Sequence, residues 1–187
     1  KIDDVHAEAR QSLRRLFRET RKWNALLEFL KEDLKRLPED DLAGQVAAHL
    51  QMIAIYRDEL RLPVMVVNTY NQILQIDPAN AEALDALEAR YRKGGRWNDL
   101  IGVLVRRADQ ARAEGQQAEV IALYRQIAGL WKDKFSNPNQ AIEYLEGILA
   151  LAPQDGAAID ELTEIYENRK EWPALYATHE RRLALLE

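Results

Sequence analysis

The sequence predicts an all-α protein, an array of about nine to ten antiparallel helices, and three observations carry that expectation. Apolar residues recur at helical spacing, and no segment keeps up the period-two alternation of a strand. The chain repeats itself after 74 or 75 residues. Pro, Gly, Asn and Asp stand at the joints where helices must start or stop.

The repeat shows first in the tryptophans, because Trp23, Trp97 and Trp172 lie 74 and 75 residues apart. A shift of 75 pairs Pro63 with Pro138, Ile73 with Ile148 and Leu74 with Leu149. It also pairs Pro78 with Pro153, Tyr91 with Tyr166 and Leu100 with Leu175, and sets Tyr56 opposite Trp131. The single-residue difference falls between Trp23 and Pro63, near Pro38, where a turn absorbs it and a helix would not.

The first twenty residues follow the pattern of the last helix of a repeat, with Leu13 opposite Leu87 and Phe17 opposite Tyr91. Each full repeat then holds four helices. From Trp97 an apolar stripe runs through Leu100, Ile101, Leu104 and Ala108 to a turn at Ala113–Gly115. The next helix carries Val120, Ile121, Tyr124, Ile127, Ala128 and Trp131. It stops before Asn137-Pro138, where Asn137 caps and Pro138 suits the first helical position. The third carries Ala141, Ile142, Leu145, Ile148 and Leu149, and Ala152-Pro153 closes it. Asp155 caps the fourth, with Ile159, Leu162, Ile165 and Tyr166. Asn80 does that work one repeat earlier, and Gly94-Gly95 supplies a left-handed stop. A trailing helix starts from Trp172. Trp23, Trp97, Trp131 and Trp172 are expected to cement neighbouring helices, since burying a large side chain yields about 1.5–3 kcal/mol.

Composition excludes several kinds of chemistry. The 187 residues carry a formal charge of −5, with 47% hydrophobic and 30% charged residues and no cysteine. Thiol catalysis, disulfides and cysteine-based metal sites are therefore excluded. The three histidines, His6, His49 and His179, lie far apart and none has a partner three or four residues on. His49 takes a tyrosine-like core position and reads as packed. Gly94-Gly95 lacks the Lys-Ser/Thr of a phosphate loop, and Ser12 and Ser136 have no base nearby. Glu39-Asp40-Asp41 stands at a helix start, where negative charge suits the dipole. The expectation is a non-enzyme without cofactor or metal. The acidic balance disfavours nucleic acid as partner, and no apolar run is long enough to span a membrane. The chain opens at Lys1, and Leu183, Leu185 and Leu186 keep helical spacing at its end. It is therefore expected to be an excerpt of a longer protein. Its composition is that of a soluble chain, and a cytoplasmic setting is the default expectation, not one read from the ends.

Split in two, each repeat gives hairpins of about 34–39 residues. In the second helix, Ala141 precedes Tyr144 and Leu145, then Ile148, Leu149 and Pro153; the counterpart is Val66, Tyr70, Ile73, Leu74 and Pro78. In the first helix, Tyr124, Ile127, Ala128 and Trp131 recur, with one extra residue in the following turn. This pattern resembles tetratricopeptide repeats (TPR). The resemblance implies a right-handed α-α superhelix, a TPR-like solenoid of five degenerate hairpins in a single domain, 1–187. Their bounds are about 4–38, 41–78, 80–113, 116–153 and 155–187. Ile53, Glu88 and Thr163 replace the small residue expected on the first helix, and Leu26, Leu100 and Leu175 the one opening the second. Such degenerate arrays are frequent in bacterial proteins.

The resemblance also implies a protein-binding scaffold whose first helices line a concave groove. The positions carried over are Gln11, Arg15 and Arg18; Leu50, Ala54, Arg57 and Asp58; and Asp85, Ala89, Arg92 and Lys93. Arg125, Gly129, Lys132 and Asp133 follow, then Asp160, Glu164, Glu167 and Asn168. One position reads Arg18, Arg57, Arg92, Lys132, Glu167, a basic stripe in an acidic protein. Ala54, Ala89 and Gly129 leave floor space beside it. Such a groove is expected to take an acidic segment of a partner protein. The alternative reading is a structural spacer or self-association module within a larger protein.

Overall fold

The computed structural model describes residues 2–183, with side chains from Glu8 onward. Leu185, Leu186 and the side chain of His6 lie outside the described residues. The described chain is all-α, with no strand. Its helices are α1 (Ile2–Glu19), α2 (Trp23–Leu34), α3 (Leu42–Ala54), α4 (Pro63–Ile76) and α5 (Ala81–Lys93). They continue as α6 (Trp97–Ala113), α7 (Gln117–Asp133), α8 (Pro138–Leu151), α9 (Gly156–Arg169) and α10 (Trp172–Leu183). A π-helical turn, Ile55–Glu59, extends α3.

The joints follow from local chemistry. Asp41, Asn80, Asn137 and Asp155 each accept an N–H three residues on, at 2.9, 3.1, 3.3 and 2.9 Å. Pro63 and Pro138 occupy first turns, where no backbone donor is missed. The stops repeat as regularly as the starts. Arg21, Gly95, Gly115 and Lys170 are left-handed, with φ of 53°, 65°, 73° and 57°. The N–H of the next residue reaches back five positions in each case: Lys22 to Phe17, Arg96 to Tyr91, Gln116 to Ala111 and Glu171 to Tyr166. Arg61 and Ser136 are also left-handed, at φ 53° and 48°. There the return bond spans six residues, Leu62 to Tyr56 and Asn137 to Trp131. That longer closure accommodates the extra residue.

Two compact units divide the chain, Lys1–Leu87 and Glu88–Glu187. In the first, α1 packs on α2 and α3 on α4. Leu26, Leu27 and Leu30 of α2 meet Met52, Ile55 and Tyr56, with Phe17 and Trp23 against them. In the second, α6 to α10 pack each on the next. Leu145, Ile148, Ile159 and Leu162 centre its core, flanked by Tyr124, Trp131 and Tyr144. One hairpin cannot cover both faces of its helices, so neighbours share a core. Within each unit the helices thus pack as consecutive helical hairpins.

The tryptophans divide. Trp23 and Trp131 are half-buried against the two cores. Trp97 is half-buried with the Lys134 ammonium 5.1 Å from its ring centre. Trp172 departs from the expected cementing role, because it is 60% exposed. No described helix covers the side of α10 on which it stands.

Candidate functional site

In the first unit, Gln11, Arg15 and Arg18 fall one turn apart on α1 and share a face. With Glu8, Ser12, Arg14, Glu19 and Gln51 of α3 they line an open cleft of about 820 Å³. Arg15 donates to Glu19 at 2.7 Å, and that hydrogen bond raises the guanidinium above its ordinary range. Arg10 and Arg14 turn instead to Asp33 on α2. Arg18 carries no ion pair among the described residues. Leu50 is half-buried on α3. The π-helical turn holds Arg57 and Asp58, joined by two hydrogen bonds of 2.8 and 3.0 Å. Their hydrogen bonding raises the guanidinium and lowers the carboxyl. Asp85 is exposed on α5.

In the second unit, the end of α5 meets α7, and α7 meets α9 and its N-cap, through polar side chains. Arg92 donates to Glu88 at 3.0 Å and to Gln126 of α7 at 3.2 Å. Lys93 is exposed in the last turn of α5 and has no ion pair among the described residues. Arg125 donates to both carboxylate oxygens of Asp155, at 3.0 and 2.8 Å, and lies 3.9 Å from Glu161. Lys132 reaches Glu161 at 3.5 Å and Glu164 at 4.0 Å. Burial works against charge on Asp155. The Ala158 N–H and the Arg125 guanidinium outweigh it and hold the carboxyl below its ordinary range.

Spacing thus brings Arg92, Arg125 and Lys132 to adjoining helices, where Arg92 meets Glu88 of its own helix while Arg125 and Lys132 meet acids of α9 and its N-cap. Glu164 belongs to the acidic row read on α9, and Asp160 of that row turns to Arg182. Asp155 and Glu161 were missed as partners. Their signal was an acidic row beside a basic one, which forecasts pairing between the rows. A Cβ at Gly129 would meet nothing within 4 Å, so open space adjoins this ladder. His49 is buried, its Nδ1 2.8 Å from the Gln45 carbonyl oxygen, a packed histidine.

Among the described residues no group of three His, Asp or Glu side chains could hold a metal ion. No helix there is long and apolar enough to cross a membrane. No family model matches the chain, and no curated protein does. Among solved structures it is similar to the MamA protein, at 19% identity, over 90% of this chain and 91% of that one, with a TM-score of 0.45. It is similar to Pseudomonas aeruginosa PilF at 16% identity, over 99% and 78%, with a TM-score of 0.43. Nearly identical TPR-like repeats from Podosopora anserina are matched at 15% identity, over 97% and 95%, with a TM-score of 0.44.

Proposed function

We propose that the chain is a non-enzymatic protein-interaction scaffold that takes acidic partner segments on the first-helix faces within its units. The carrying observation is Arg18, without an ion pair among the described residues and beside Arg15 in the cleft on α1. Arg15 and Arg57 are held by exposed acids of their own elements, whereas Glu88, which holds Arg92, is half-buried and also meets Arg107. Exposed pairs of that kind are worth about 0–1 kcal/mol. A partner's carboxylates can therefore replace Glu19 or Asp58 at small cost. Arg125 and Lys132 are half-buried between α7 and α9 and serve first to hold those helices.

Fluorescence anisotropy with a labelled poly-glutamate peptide tests this reading. Arg15→Glu with Arg18→Glu should weaken binding about fivefold or more, and added salt should weaken it in the native protein. Unchanged affinity with intact helix content overturns it.

A second reading, self-association, draws on α10. Trp172, Tyr176 and Leu183 are 60, 67 and 62% exposed there. The counterparts of Tyr176 in the earlier repeats, Leu27 and Ile101, are only 4 and 5% exposed. A second copy covering this face would give concentration-dependent sedimentation that Trp172→Ser with Tyr176→Ser abolishes. Monomeric sedimentation at every concentration discards it.

A further inference from the structure

The second unit holds a cleft of different chemistry, between α6, α7 and α8. Tyr124 and Tyr144 meet edge to face there, centroids 5.3 Å apart at 80°. Val105 adds an apolar wall, and Asp109, Arg112 and Glu143 supply its charge, around a volume of about 320 Å³. Glycine at 147 makes the seat of the aromatic pair possible. A Cβ at that position would stand 2.9 Å from Cε2 of Tyr124.

Stacking of hairpins does not demand these residues. One repeat earlier, Lys35 stands for Asp109, His49 for Tyr124, Asn68 for Glu143, Thr69 for Tyr144 and Gln72 for Gly147. The first unit packs its core without the aromatic pair or the acids. The combination is a property of this one place in the chain.

Its electrostatics favour a cation. Asp109 and Glu143 outnumber the single guanidinium of Arg112. Asp109 is exposed and carries no ion pair among the described residues. Glu143 accepts only a neutral hydrogen bond, from Gln140 at 3.1 Å. The ring faces carry negative charge density that attracts ammonium and guanidinium groups. Arg112 already uses one of them, lying 5.6 Å from the centre of Tyr124 and donating to its hydroxyl. Burial first, then Glu143, Tyr124 and Asp109, pushes the Tyr144 phenol up, so the site resists added negative charge. We propose that this cleft binds a cationic side chain, arginine or lysine, presented by a partner segment. The site shares no residue with the acidic-segment surface on α1 and selects the opposite charge, so either can fail without the other.

The test is an NMR titration of the whole chain with acetylated, amidated Gly-Arg-Gly and Gly-Lys-Gly, and with Gly-Glu-Gly as control. The cationic peptides should give saturable shifts at the Gly147 amide and the Tyr124 and Tyr144 rings, and the acidic peptide none. Asp109→Asn with Glu143→Gln, both at exposed positions, should weaken the cationic peptides about fivefold or more without loss of helix content. Absence of saturation at those signals overturns the proposal. So do equal shifts with the acidic peptide, or affinity unchanged in the double variant.

Discussion

Asp155 binds the Arg125 guanidinium at 2.8 Å with the same carboxylate that accepts the Ala158 N–H at 2.9 Å. One side chain therefore starts α9 and ties it to α7. Asp41 provides the contrast, because it caps α3 without an ion pair to a second helix among the described residues.

Removing the two caps should therefore have unequal effects. Asp41→Ala should cost about 1 kcal/mol, the usual loss of an N-cap. Asp155→Ala should cost about 2–3 kcal/mol, because a charge-assisted hydrogen bond goes with the cap. Urea unfolding followed by circular dichroism measures both, and equal losses would show that Arg125 contributes nothing through Asp155.

The Asp155 carboxyl also sets a pH dependence. Its folded value lies below the unfolded value of about 3.9, so its stabilisation is complete above that value. It is lost as pH falls through the unfolded value toward the depressed folded one. Asp155→Asn keeps a capping oxygen and removes the charge. Its stability deficit against the native protein should stay constant from about pH 7 to pH 5 and shrink below about pH 4. A deficit that grows on acidification contradicts this assignment.

Left-handed stops give a paired prediction on backbone strain. Lys170 takes φ 57° where Gly95 takes φ 65° one repeat earlier. Lys170→Gly should stabilise by about 0.5–1 kcal/mol, and Gly95→Ala should destabilise by about 1 kcal/mol. Thermal unfolding of the two variants should shift in opposite directions.

Two helical glycines should likewise diverge. A Cβ at Gly102 meets nothing within 4 Å, so Gly102→Ala should stabilise by about 0.8–1 kcal/mol. At Gly147 a Cβ would stand 2.9 Å from Tyr124, and overpacking of about 1–3 kcal/mol offsets or exceeds the propensity gain. Urea midpoints should rank Gly102→Ala above native and Gly147→Ala at or below it.

Charge reversal at Arg57 and Arg92 separates binding from folding. Both are exposed and pair with acids on their own elements. Arg57→Glu with Arg92→Glu should keep the helix content while poly-glutamate affinity drops about fivefold or more. An unaltered affinity removes both positions from the proposed binding surfaces.

The repeat was legible because helix caps, proline positions and apolar periodicity are local, and they recur after 74 or 75 residues. Asn80, Asn137 and Asp155 could be named as caps from sequence alone. Arg21, Arg61, Ser136 and Lys170 could not be named as left-handed, since only glycine advertises that conformation. Trp172 illustrates a different limit. Its spacing matches Trp23 and Trp97, but burial depends on what packs against a helix, and spacing cannot report that.

By itself the sequence determined the all-helical class, the joints and the faces on which Arg92, Arg125 and Lys132 fall, because each depends on neighbours within a few turns of chain. Tertiary structure alone decided that Arg125 and Lys132 are spent. Asp155 lies 30 residues from Arg125, and Glu161 lies 29 from Lys132. Pairing at that separation depends on how adjacent helices stack and how far each side chain reaches, quantities that no periodicity encodes.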